Sequence, residues 1–178
     1  MTTDLPKGKR IFIIEGVSGS GKSTLFRELA EQFPAAISFS EEELLFQWRD
    51  NLLPGITEFR LELFEKVADL LEREMRKKER VFILERFHLS LKVLDYAKDA
   101  GLTKRYGKLI ERLKKLPVHV FLLTKRKESH EERGKDWKSY LVWKRKAAGA
   151  LTIKEMYAKE RALFLKLAKS QGIPYTLL

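Results

Sequence analysis

Short apolar runs alternate with longer amphipathic stretches along the chain, and the two periodicities separate cleanly. Residues 10–15, RIFIIE, form a nearly continuous apolar run of strand length that Gly16 closes. From Lys22 the apolar set Leu25, Phe26, Leu29, Ala30 and Phe33 recurs at helical spacing until Pro34 stops it. Residues 35–39 predict a weaker second strand, and 41–53 a helix ending at Pro54-Gly55. A long helix follows over 57–78, with Arg60, Phe64, Val67, Ala68, Leu71 and Met75 on its inner face and Thr57 as its expected N-cap. Residues 80–85, RVFILE, read as the third strand. Helices are predicted over 90–100, ended by Gly101, and 103–116, ended by Pro117; 118–123 is the fourth strand. A polar helical region spans 125–148, and a helix over 152–170 sets Ile153, Met156, Tyr157, Phe164 and Leu167 on one face. Gly172 breaks it, and residues 173–178 close as a fifth strand whose internal proline marks an edge.

Strands separated by helices imply a parallel sheet with helices on both faces. No repeat, low-complexity tract or linker interrupts the pattern, so residues 1–178 read as a single domain.

The densest small-residue stretch lies between the first strand and the first helix. Gly16-Val17-Ser18-Gly19-Ser20-Gly21-Lys22-Ser23 fits G-x-x-x-x-G-K-[ST] position by position, in the strand–loop–helix setting the phosphate-binding P-loop requires. Glycines let the backbone turn its N–H groups inward, and the loop runs into a helix N-terminus whose dipole favours an anion. On this reading Lys22 reaches the β- and γ-phosphates, Ser23 ligates Mg²⁺, and Thr24 adds a hydroxyl near the α-phosphate. The motif predicts binding of a nucleoside triphosphate with Mg²⁺, not a reaction: motor, GTPase, ATPase and kinase all stay open.

A second constellation lies at residues 85–90, ERFHLS. In a sheet of this type ligands sit beyond the carboxyl ends of the strands. Glu85 ends a strand expected beside the loop strand, so its carboxylate is expected to face the Mg²⁺ shell near Ser23, with the Arg86 guanidinium beside it.

The two stretches together resemble thymidylate kinases and the related deoxynucleoside kinases. FIIEGVSGSGKST is similar to the opening of both, where Glu-Gly leads into the loop, and ERFHLS resembles D-R-[YF]-x-x-S of the former and E-R-S-x-x-S of the latter. The resemblance implies a P-loop NTPase-type three-layer α/β sandwich with a five-stranded parallel sheet and a helical lid over 125–149. It also implies an ATP-dependent phosphotransferase acting on a nucleoside monophosphate, thymidine monophosphate first, or on a deoxynucleoside. Lys22, Glu85 and Arg86 would then be catalytic, as would Arg133, whose Glu-Arg setting resembles that of family lids; Arg126, Lys135 and Lys138 would close with it. Glu43 and Trp48 stand in the E-x-x-x-x-W spacing of deoxynucleoside kinases, where the carboxylate deprotonates a sugar hydroxyl, and Glu41 and Glu42 compete for that role. Arg60 would hold a phosphate and Phe59 and Phe64 stack a base, although core packing explains the phenylalanines as well. The chain departs from the family pattern at Ser18, often Asp in thymidylate kinases, and it lacks their Arg-Glu-Pro. Homodimers are common in that group, and the long amphipathic helices would serve such an interface.

Charge and composition refine the picture. The chain of 178 residues carries 36 Lys and Arg against 25 Asp and Glu, a net charge of +11. This reads first as a charge-rich solvated surface and second as a nucleic-acid face, for which Trp137, Tyr140 and Trp143 among the basic residues of 124–149 are the candidates. A polynucleotide 5′-end kinase is therefore an alternative. A non-catalytic nucleotide switch is another, though no guanine-reading N-K-x-D occurs. Asn51, Gln32, Gln47 and Gln171 are the only amides, a thermophile-like economy. With no cysteine, disulfides and thiolate metal sites are excluded. With no apolar run of membrane-spanning length and no visible secretory signal, the expected address is cytoplasmic, without a membrane partner.

Overall fold

The computed structural model describes residues 5–45, 53–77, 80–94, 100–125, 139, 141–142, 144–146, 149 and 152–178. Five strands, β1 (Ile11–Gly16), β2 (Ile37–Phe39), β3 (Phe82–Glu85), β4 (Val118–Leu123) and β5 (Tyr175–Leu177), pair in the order β2-β3-β1-β4-β5, every pair parallel. The helices are α1 (Lys22–Gln32), α2 (Glu41–Leu45), α3 (Ile56–Met75), α4 (His88–Leu94), α5 (Ala100–Lys114) and α6 (Ile153–Gln171).

Alternation within the strands sorts the core into two layers. Ile11, Ile13, Phe82, Leu84, Val118, Val120 and Leu122 point to one face, which α3, α4, α5 and α6 cover through Phe64, Leu71, Leu89, Leu113 and Phe164. Phe12, Ile14, Ile83, Phe121 and Leu123 point to the other, covered by Leu25 and Leu29 of α1. The predicted three-layer sandwich with a five-stranded parallel sheet is the architecture observed. The Tyr106 hydroxyl donates to the His88 carbonyl at 2.8 Å and accepts from Gln171 Nε2 at 2.7 Å, fastening α4, α5 and α6 together.

Several boundaries differ from the sequence pattern. The cap of α3 is Gly55, at φ 76°, and no side chain caps the helix, so Thr57 lies in the first turn. Gly101 falls in the first turn of α5 rather than ending its predecessor, at a position whose N–H has no intrahelical partner to lose. Helix α4 starts at His88, two residues before the pattern's Ser90, because a buried carboxylate from β1 anchors its first turn. Pro174 precedes β5 instead of lying within it, and β5 is an edge strand, as the proline implied.

Candidate functional site

The loop from Gly16 to Gly21 emerges at the carboxyl end of β1, between the ends of β3 and β4. Gly16, Gly19 and Gly21 all have positive φ, at 138°, 78° and 94°. Gly16 is irreplaceable on a second count: a Cβ there would lie 1.9 Å from the Leu123 carbonyl oxygen, which accepts the Val17 N–H at 3.1 Å. Gly21 caps α1, with no side chain bonded to the cap and no acidic residue in the first turn, which leaves the positive end of the helix open to an anion. The Ser20 hydroxyl, buried in the loop, has no partner among the described residues.

Lys22 is buried and donates to the Val17 carbonyl at 2.8 Å, folded back over its own loop. Burial, then the neighbouring Arg86 cation, lowers its pKa to about 7, against the opposing pull of Glu41, Glu160 and Glu85. Strand pairing sets Glu85 opposite Ile14, and its carboxylate accepts from Ser23 Oγ at 2.6 Å. The two expected magnesium-side residues thus meet in space. Two oxygen donors suit a hard cation that completes its shell with phosphate and water. Among the described residues no three acidic or histidine side chains gather into a metal cage.

Arg86 follows at φ 59°, the one non-glycine residue with positive φ among those described. Its guanidinium is buried and meets Glu41 (Nε to Oε2, 2.7 Å), the Gly16 carbonyl (3.4 Å), Ser90 Oγ (3.3 Å) and Ser18 Oγ (3.4 Å). What holds the backbone there is Glu15, fully buried at the end of β1. Its Oε1 accepts the N–H groups of Phe87 (2.9 Å), Leu89 (2.9 Å) and Ser90 (3.3 Å), and its Oε2 accepts the Ser90 hydroxyl. Burial raises the Glu15 pKa despite these bonds.

The acceptor-side expectations fare unevenly. Glu43 belongs to a capping box, with Ser40 N and Oγ donating to its Oε2 at 2.7 and 2.8 Å, bonds that tie its carboxylate to the start of its own helix. Glu41, one of its two competitors, is the carboxylate that faces Arg86 and the loop. Burial pushes the Glu41 pKa up, but Arg86 and Lys22 outweigh it and the net shift is downward. Phe64 is fully buried with its ring centroid 4.4 Å from that of Phe87, which makes it packing behind the Arg86 turn and leaves no face for a base. Arg60 is buried on the inner face of α3, as its spacing predicted. Trp48, Arg126, Arg133, Lys135, Trp137, Lys138, Tyr140 and Trp143 lie outside the described residues.

Three site residues were not singled out from the sequence. Glu15 carried a signal, a carboxylate ending an otherwise apolar strand. Glu160 carried another, lying four residues from both Met156 and Phe164 on the core stripe of α6. Lys144 carried none; its Nζ lies 3.0 Å from Ser18 Oγ and 2.8 Å from Glu160 Oε2.

A parallel sheet with the loop strand between β3 and β4, a glycine-built phosphate loop and a carboxylate–arginine pair at the next strand end define a P-loop α/β protein of nucleotide-kinase fold. Solved structures with this architecture include thymidylate kinase from Ehrlichia chaffeensis (19% identity, TM-score 0.56, 96% of this chain and 88% of that one). Deoxyadenosine kinase from M. mycoides, solved with bound dATP, matches at 18% identity and TM-score 0.55 over 94% of this chain and 90% of its own. The YorR protein of Bacillus subtilis, in complex with phosphorylated GDP, matches at 21% and 0.54 over 94% and 84%. No family model matches the chain.

Proposed function

We propose that the chain is an ATP-dependent kinase that transfers the γ-phosphoryl group to a nucleoside or a nucleoside monophosphate. The observation that carries this is the meeting of Ser23 and Glu85 at 2.6 Å, under a loop topped by Lys22 and flanked by Arg86. Phosphoryl transfer asks mainly for positioning and charge neutralisation. The loop N–H groups and the end of α1 hold the phosphates, Lys22 leaves the Val17 carbonyl for the β- and γ-oxygens, and Arg86 takes charge on the moving group. Ser23 and Glu85 would hold Mg²⁺, which would supply positive charge to offset that of the phosphates.

Between acceptors, Glu41 favours a hydroxyl. It is half-exposed, ion-paired to Arg86 and the carboxylate of α2 closest to the loop cations, so it can take a proton as the hydroxyl oxygen forms its bond to phosphorus and ADP leaves. Its lowered pKa suits a loose transition state, in which proton removal comes late. The thymidylate-type reading, in which the acceptor oxygen belongs to a monophosphate, needs no base; buried Arg60 is its candidate anion holder.

A panel of nucleosides and monophosphates with labelled ATP separates the two, alongside the Glu41→Gln variant. A hydroxyl acceptor predicts turnover with nucleosides and a kcat loss of about a hundredfold or more in Glu41→Gln. A phosphate acceptor predicts turnover with monophosphates and a variant within a few-fold of the parent. No transfer to any member rejects the kinase.

A further inference from the structure

Lys144 is the one buried residue among those described between 125 and 151. It lies in a short helical stretch, 144–146, remote in sequence from the loop, yet its Nζ donates to Ser18 Oγ at 3.0 Å. Glu160 of α6 holds the same ammonium at 2.9 and 2.8 Å, and the Tyr157 ring lies beneath it at 5.7 Å. Both side chains are almost wholly buried, at 3% and 5% exposed. Apolar residues of similar volume would normally hold such a position at least as well, because two desolvated charges recover little more than their hydration. The site nevertheless holds a charged pair, and its ammonium also reaches the phosphate loop.

We infer that Lys144 is a positioning residue of the loop: clamped by Glu160, it fixes the Ser18 segment in the curvature that receives the donor phosphates. This rests on the nucleotide-binding reading above. Arg86 and Lys144, both of which reach Ser18, have different counter-ions. Glu41, the partner of Arg86, is 41% exposed and can swing away, whereas Glu160 sits in the core stripe of α6 and cannot. Arg86 can therefore be handed to an arriving anion, while Lys144 stays on Ser18 whether the loop is empty or filled. A contact that persists unchanged through the reaction strengthens ground and transition states equally. It lowers KM and leaves kcat alone.

The test uses the full chain carrying Lys144→Met with Glu160→Leu, a pair that removes both charges together so that the fold survives; a thermal melt checks this. MgATP affinity is read by calorimetry and steady-state constants by turnover. The double variant is expected to bind MgATP at least about tenfold more weakly, the order expected for losing a hydrogen bond from a charged donor, with kcat within about threefold. Ser18→Ala, which keeps the ion pair, is expected to give the same loss, and combining all three changes should add nothing further. This arm also decides the matter if the double variant does not fold. Binding within twofold of the parent, additive losses, or a fall in kcat at constant KM would each overturn the inference. If the parent itself gives no heat with MgATP, the proposed function falls and takes this inference with it; a binding parent with an indifferent variant removes this inference alone.

Discussion

Lys22 illustrates how much a single side chain can reveal before any substrate is known. With its pKa at about 7, the free protein carries it largely neutral at pH 8, while a polyphosphate beside it restores the charge. MgATP binding at pH 8 should therefore take up about one proton per site, measured as the dependence of binding heat on buffer ionisation enthalpy. Uptake should vanish at pH 6, where the lysine is already protonated, and in Lys22→Met. The stability sign follows from the same shift. Between pH 7 and the ordinary lysine value of 10.5 the unfolded chain binds the extra proton, so this group adds stability as pH rises through that window. At this scale the loop was legible because all its functional atoms come from consecutive residues, and spacing alone arranges them. The E-x-x-x-x-W spacing pointed to Glu43, whereas Ser40-x-x-Glu43 is itself a capping-box signature that ties this carboxylate to its helix start, and it is Glu41 that meets Arg86. Lys144 was out of reach because its partners, Ser18 and Glu160, are 126 and 16 residues away.

Among the elements, α4 depends on one residue outside itself. A helix of seven residues has little stability of its own, and its first turn is satisfied by Glu15 from β1. Replacing Glu15 by Ala would strand three buried N–H groups and the Ser90 hydroxyl. The expected loss is about 3 to 5 kcal/mol, read from urea unfolding; a loss below about 1 kcal/mol would mean the carboxylate does not hold the turn. Because the same turn sets Arg86, ATP turnover should fall further than stability accounts for. The sequence predicted the existence and type of every described helix and strand but misjudged where some begin. Strand and helix periods are local properties of the chain, whereas the starts of α3 and α4 are set by a glycine conformer and by a carboxylate more than seventy residues upstream.

For the molecule as a whole, the sheet order β2-β3-β1-β4-β5 puts the loop strand at the centre, where it pairs with β3 along four register positions and β4 along six. A ligand held there bonds to the most cooperative part of the fold, so binding should register as global stability. At about a hundred times its Kd, MgATP should add about 2.7 kcal/mol and raise Tm by about 5 to 10 °C. An unchanged Tm at millimolar MgATP would reject the nucleotide site. The net charge of +11 does not originate at this site, where Lys22, Arg86 and Lys144 are matched by Glu41, Glu85 and Glu160. Arg105 and Arg112 of α5 likewise face carboxylates of α3 rather than open solvent.

The left-handed turn at Arg86 bears on how such a chain would age. Glycine or asparagine is what the backbone prefers there, and glycine, having no Cβ, would relieve a conformational penalty of about 1 kcal/mol. The backbone of this turn therefore gives no reason to keep the guanidinium, and its contacts with Glu41, Gly16, Ser18 and Ser90 do. A descendant freed from chemistry would shed the arginine early while leaving the glycines of the cradle in place, so an intact loop beside a small residue at this turn would be the signature of a retired enzyme.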